Sequence, residues 1–200
     1  MEADDVLEAW QGRSGAYSPG YYAYYGADET SDAVLEALEA TVGADAAVLE
    51  LGCSAGRHLA RLYEAGYRDL TGIEINQAAR RVLAEAYPDL YADGTFHFDA
   101  IEAVVGGIET GRFDAAFSVE TLQHIHPDHD WVFEEVARVA GDTLVIVELE
   151  GETGESLVDG VVPLYRRDWR AVFTGLGFEA VDSRAVKRDV LQVFRAADAR

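Results

Sequence analysis

Lysine is almost missing from this chain. Lys187 is the only one, beside fifteen arginines, and these sixteen bases face 37 acids for a formal net charge of −21. That shortage of positive charge excludes partners that need it. Nucleic acid is bound through a basic face, and the only dense basic cluster, Arg166, Arg167 and Arg170, is too small for a duplex track. Anionic membranes are disfavoured for the same reason. Cysteine is equally scarce: Cys53 alone rules out an internal disulfide and says little about compartment. No apolar run reaches about 18 residues and no basic segment precedes an apolar stretch, so neither a span nor a signal peptide is expected and the chain reads as cytoplasmic. Internal repeats and low-complexity linkers are also missing.

What is present suits one domain, or one with an extension: 200 residues, 49% of them hydrophobic. The acids are spread through every expected helix and do not form the blocks of a disordered tail. Arginine without lysine, over an acidic background, resembles proteins of salt-saturated cytoplasms. At roughly 1 M salt the Debye length is about 3 Å, so like charges are screened; in dilute buffer they repel and loosen the fold. An ordinary acidic bacterial enzyme is the alternative.

The densest information lies in residues 48–75. Val48-Leu49-Glu50-Leu51 reads as an apolar strand ending in the small-residue turn Gly52-Cys53-Ser54-Ala55-Gly56. Residues 57–64 read as a helix with Leu59, Leu62 and Tyr63 on one side and Gly66 as its stop. Residues 70–75 read as a second strand with Glu74 near its tip. In an open parallel sheet, a strand, tight turn, helix and acid-tipped strand bind a nucleoside, with the acid accepting from ribose hydroxyls. A dinucleotide fingerprint would need glycines where Ser54 and Arg57 stand.

The spacing Glu50-x-Gly52-x-Ser54-x-Gly56 resembles motif I of the class I S-adenosylmethionine-dependent methyltransferases, with Ser54 in place of the central glycine. The resemblance runs from about residue 45 to residue 194. It implies an α/β fold: a doubly wound, seven-stranded, mostly parallel sheet of the Rossmann-like methyltransferase type. Further strands are expected at 95–101, 113–119 and 143–147, a helix after 130, and a terminal hairpin at 178–182 and 190–194 that leaves strand 7 antiparallel. The resemblance implies S-adenosylmethionine as cofactor. It is held by Glu50, Gly52, Cys53, Ser54 and Gly56 at the turn, by Glu74 and Ile75 at the ribose, by Asp99, Ala100 and Ile101 at the adenine, and by Ser118 at the end of strand 4.

Residues 1–45 are expected to form an N-terminal cap segment, helical and tyrosine-rich, on a methyltransferase domain at 46–200. A helix is expected to begin over Val6 to Trp10, and Ser31 is expected to cap another running to Val42. Tyr17, Tyr21, Tyr22, Tyr24 and Tyr25 suit a pocket wall, each with an apolar ring and one hydroxyl; the sequence does not choose among them. Residues 150–161, acidic and rich in glycine, read as a loop, either a lid or plain solvated chain.

His124-Ile125-His126-Pro127-Asp128-His129 resembles the metal motif of the metallo-β-lactamase superfamily, but no histidine follows His129 to supply the second half of such a site, and no metal is expected. The strands flanking the switch point aim this loop at the crevice. His124 is therefore the first catalytic candidate and Glu120 the second, with His126 or a tyrosine behind them. The expected reaction is methyl transfer to a small-molecule acceptor by a monomer or homodimer. The rival is an S-adenosylmethionine-binding regulatory or scaffold protein without activity. A polyamine synthase would need a second acid beside Glu120 in Ser118-Val119-Glu120-Thr121.

Overall fold

The computed structural model describes residues 1–151 and 153–197. Its strands are β1 (Val48–Leu51), β2 (Leu70–Ile73), β3 (Thr95–His97), β4 (Phe113–Val119), β5 (Ala140–Glu148), β6 (Gly154–Val158), β7 (Val162–Arg166), β8 (Phe178–Val186) and β9 (Asp189–Ala196). Its helices are α1 (Ala3–Gln11), α2 (Pro19–Tyr25), α3 (Glu29–Thr41), α4 (Arg57–Glu64), α5 (Ala79–Ala86), α6 (Pro88–Asp93), α7 (Ile101–Val104), α8 (Trp131–Val139) and α9 (Trp169–Gly175).

Seven strands form one sheet in the order β3-β2-β1-β4-β5-β9-β8. Strands β1 to β5 pair in parallel, while β9 runs antiparallel between β5 and β8. The order reverses between β1 and β4, and that switch point opens a crevice at the carboxyl ends of both strands.

The sheet is apolar on both faces because helices cover both. Side chains alternate by the period of two. Val48, Phe117, Val145 and Val147 join α3, α4, α5 and α6 in one core. Leu49, Leu51, Ala116, Leu144 and Ile146 join α8 and α9 in the other. Trp169, Phe133, Phe173 and Phe194 form an aromatic stack under the second face.

Several boundaries differ from expectation. β2 ends at Ile73, so Glu74 and Ile75 lie beyond it, and β3 stops at His97, leaving Ile101 to open α7. The cap of α3 is Asp28, not Ser31: Asp28 accepts the Thr30 and Ser31 amides at 3.0 and 3.2 Å, and the Ser31 hydroxyl oxygen accepts the Asp28 amide. Both residues belong to one capping box, three positions apart. Within 150–161, residues 154–158 are strand and not loop. Strands β6 and β7 make a separate antiparallel hairpin, turned at Asp159 and Gly160. Both turn residues are left-handed, with φ of 51° and 69°, which is what an Asp-Gly hairpin turn supplies.

Candidate functional site

A cleft with an empty volume of about 1110 Å³, open mouth included, lies over the switch point. Its floor is the turn after β1. Gly52, Ser54 and Gly56 all adopt left-handed φ, at 75°, 49° and 78°. Ser54 thus adopts a backbone that favours glycine, at a strain of about 1 kcal/mol. A Cβ on Gly52 would collide with the Thr121 side chain, so the turn and the loop after β4 are in close contact. Gly56 makes room for Leu83, whose Cδ1 would lie 2.5 Å from an added Cβ; its role is packing of α5.

Glu74 stands on the cleft wall. Its Oε2 accepts the Ser54 amide at 2.8 Å and its Oε1 accepts the Asn76 amide at 2.7 Å. Each oxygen keeps a lone pair for a further donor. Burial raises the Glu74 pKa, opposed by the Asn76 and Ser54 amides. Glu50 is 1% exposed and faces α4, with no partner for Oε2. Burial raises its pKa well above the carboxylate range, while Arg57 and the Leu59 amide pull the other way.

The structure brings Gly52, Cys53, Ser54, Glu74, Ile75, Ala100, Ile101, Glu120 and His124 to the cleft lining. It does not bring Glu50, Gly56, Asp99 or Ser118 there. The Asp99 side chain is exposed and takes the neighbouring Ala100 amide at 2.8 Å. Ser118 points to the opposite face and donates to Glu148 at 2.8 Å.

Glu148, at the end of β5, was not visible as a site residue. It is fully buried and accepts from Ser118 Oγ and from the amides of Thr121, Leu122 and Gln123. One carboxylate thereby gathers the whole loop that carries Glu120 and His124. Burial raises its pKa to about 7 despite those donors.

His124 sits in a 3-10 turn, Leu122–His124. Its Nδ1 lies 3.3 Å from the Pro163 carbonyl. A carbonyl only accepts, so Nδ1 carries the proton and Nε2 keeps its lone pair. Desolvation lowers the pKa to about 4, against smaller opposing effects of the Pro163 bond and Glu120. The ring is neutral at ordinary pH and weakly basic, well below the unperturbed value of 6.5 expected from sequence. His126 contacts Asp128 and the Tyr165 ring, while His129 contacts Glu102. Among the described residues no group of three or more ligating side chains is placed to hold a metal ion.

The N-terminal segment forms the cover. Trp10, Arg13, Tyr17 and Tyr22 line the cleft, so two of the five tyrosines do, whereas Tyr24 and Tyr25 are exposed. Arg13 lies over the rings of Trp10 and Tyr17 and pairs with Asp159 at the β6–β7 turn. Asn76 Nδ2 donates to the Arg13 carbonyl at 2.8 Å. Arg57 lies 4.8 Å from the Tyr22 ring and pairs with Asp28, which also holds Lys187 at 2.6 Å. The contacts of Arg13 with Asp159 and Asn76, of Arg57 with Tyr22 and Asp28, and of Asp28 with Lys187 escaped sequence reading because each joins residues far apart in the chain.

The residues fit an adenosylated amino acid: a buried acid with an unused oxygen behind a left-handed turn, and a second acid at the tip of β2 with free lone pairs. Fold and cleft together define a class, the doubly wound nucleoside-binding sheet with a reversed terminal strand. Residues 48–142 match the family model described as "Methyltransferase domain".

Among curated proteins it is 35% identical over 118 residues to the O-antigen chain terminator bifunctional methyltransferase/kinase WbdD of Escherichia coli, a match covering 56% of this chain and 16% of that protein. It is 28% identical over 138 residues to the O-methyltransferase cnsE of Penicillium expansum, covering 65% and 50% of the two chains. It therefore spans at most half the length of these relatives. Its fold is similar to that of Burkholderia thailandensis 1,6-didemethyltoxoflavin-N1-methyltransferase, solved with 1,6-didemethyltoxoflavin and S-adenosylhomocysteine, at a TM-score of 0.73 and 19% identity over 98% of this chain and 87% of that one.

Proposed function

We propose that the protein transfers a methyl group from S-adenosylmethionine to a neutral small molecule. The observation that carries this is Glu74, held by the Ser54 and Asn76 amides on the wall of a covered cleft with two lone pairs unused. When bound, the cofactor supplies an activated methyl on a sulfonium, so the protein's work is largely positioning.

Glu74 would hold the ribose. Gly52, Cys53, Ser54 and Ile75 would shape the nucleoside seat, with Ala100 and Ile101 beside the adenine and Asp99 at its edge. Glu50, Gly56 and Ser118 would act from behind, through the turn and the loop. Trp10, Tyr17 and Tyr22 would exclude water and shape the acceptor side. A small acceptor suits this enclosure. A neutral one suits its charges, because Arg13, Arg57 and Arg188 are each already paired with an acid. Glu120 and the His124 Nε2 are the acceptor-facing polar groups that could take or orient a proton.

The proposal includes residues 1–45 as cap segment and 46–200 as catalytic domain, with α1 and α2 supplying the cover while α3 packs into the core. It also includes a cytoplasmic, salt-rich setting and a monomer or homodimer without nucleic-acid or membrane partners; among the described residues no helix is long and apolar enough to cross a membrane. The test is isotope-labelled S-adenosylmethionine added with the protein to a small-molecule cell extract in molar potassium chloride. A labelled product names the acceptor by its mass. Tight binding of S-adenosylhomocysteine with no label transferred would instead support the regulatory reading.

A further inference from the structure

Glu120 is a strained residue. It follows β4 with a left-handed φ of 50°, a conformation that L side chains rarely adopt. That backbone turns its carboxylate onto the cleft wall. There it shares the Arg188 guanidinium with Asp189, the first residue of β9. Asp189 is 4% exposed, and its Oδ1 has no partner. Arg188 lies against both acids, 2.8 Å from Glu120 and 3.8 Å from Asp189. Two acids and one guanidinium hold one negative charge too many for both acids to ionise freely.

We propose that Glu120 and Asp189 act as one unit, in which Glu120 takes the proton lost by the methyl acceptor and Asp189 positions and shares it. The proposal rests on the methyl-transfer reading of the cleft. The acceptor's lone pair forms the new bond to the methyl carbon. The carbon–sulfur bond breaks with its electrons going to sulfur, which becomes a neutral thioether. The acceptor's O–H or N–H proton passes to Glu120 and rests between the two carboxyls. Arg188 stabilises the pair while it is ionised.

A lone exposed carboxylate would be too weak a base for this task, whereas a base near the working pH is well matched. Desolvation, then the neighbouring Glu120, raise the Asp189 pKa to about 7, with Arg188 opposing and Glu148 adding. The other charged or titratable groups facing the pair are Tyr17, Tyr22 and His124. His124 is neutral at that pH, and burial and Glu120 together hold the Tyr22 hydroxyl protonated. Asp189 is therefore a positioning residue, and Glu120 is the group that meets the acceptor.

The test is a carboxyl carbon-13 NMR titration of the full chain, labelled at Asp and Glu, in high salt without cofactor. A signal titrating near pH 7 is expected. It should vanish in Asp189→Asn and move down by about one to two pH units in Glu120→Gln. Glu148→Gln identifies the separate signal of Glu148. With the acceptor in hand, Asp189→Asn should lower turnover at pH 8 by about 10- to 100-fold and shift its pH midpoint downward. S-adenosylhomocysteine affinity should stay unchanged. No near-neutral carboxyl other than Glu148, or one indifferent to both substitutions, would overturn the proposal. Calorimetry with S-adenosylhomocysteine on the same samples reads the methyl-transfer assignment separately, so either can fail alone.

Discussion

The rings of Trp10 and His124 are in contact, with centroids 4.4 Å apart and planes tilted by 48°. The first helix of the chain thus rests on the loop that follows β4, and one stacked pair joins cover to wall. His124→Ala should lower turnover about tenfold, the worth of one oriented hydrogen bond of about 1.4 kcal/mol, and, because it removes the ring on which Trp10 rests, weaken S-adenosylhomocysteine by no more than Trp10→Ala does. His124 should add no acid limb to the rate until about pH 4, where its imidazole gains a proton. A loss beyond about 1000-fold would make His124 the base instead of the Glu120 pair.

Trp10→Ala should act on the cover as a whole. Arg13 loses one of its two rings, and the segment keeps the Asn76 and Asp159 contacts. Amide exchange over residues 3–25 should quicken, and S-adenosylhomocysteine should bind about tenfold more weakly. Unchanged exchange would show that the stack does not hold the cover.

Glu74→Ala should weaken S-adenosylhomocysteine by about 1.5–3 kcal/mol. The mutant also leaves the Ser54 and Asn76 amides without their acceptor, so Glu74→Gln, which keeps an acceptor oxygen, should lose less. Calorimetry on both variants checks this, and full affinity in Glu74→Ala would remove Glu74 from the ribose.

Glu148 makes a pH-dependent contribution to stability. Its pKa is raised from 4.5 to about 7, chiefly by burial. The native state keeps a proton that the unfolded chain gives up, so the contribution is fully present below about pH 4.5 and lost as pH rises through 7. Wild type should therefore exceed Glu148→Gln in stability by more at pH 5 than at pH 8, with a change on the order of 3 kcal/mol. His124 and His58, lowered to about 4 and about 3 by burial, act with the opposite sign below their usual pKa; they cancel in the comparison. Urea melts at the two pH values measure it.

The net charge of −21 should make the melting temperature climb continuously from about 0.1 to 3 M potassium chloride as repulsion is screened. A flat melt over that range would leave the shortage of lysine without this explanation.

The sheet was legible because apolar runs, turn glycines and tip acids coincide locally: Val48 to Leu51 before Gly52, and Leu70 to Ile73 before Glu74. The α4 helix was read to the residue for the same reason. Ser31 is misleading as a cap signal because a capping box offers two polar residues that both bond. Residues 150–161 were read as a loop from their glycines and acids, although Asp159-Gly160 is itself a hairpin signal. The support of the site was illegible for a different reason. Glu148 reaches amides 25 to 27 positions away, Asp28 reaches Lys187 159 positions away, and Asp189 meets Glu120 only once β9 has entered the sheet beside β5.

Gly52 is usually the place where a chain gains rotational freedom, yet here it sets a spacing. Because Thr121 occupies the volume that a methyl at position 52 would need, the two sides of the crevice touch through a hydrogen atom. The cleft's depth at that point is therefore fixed at manufacture, by the smallest possible spacer. Any adjustment to ligands of different size has to come from the covering helices and the β6–β7 hairpin, which makes the floor a template and the roof the adaptable half.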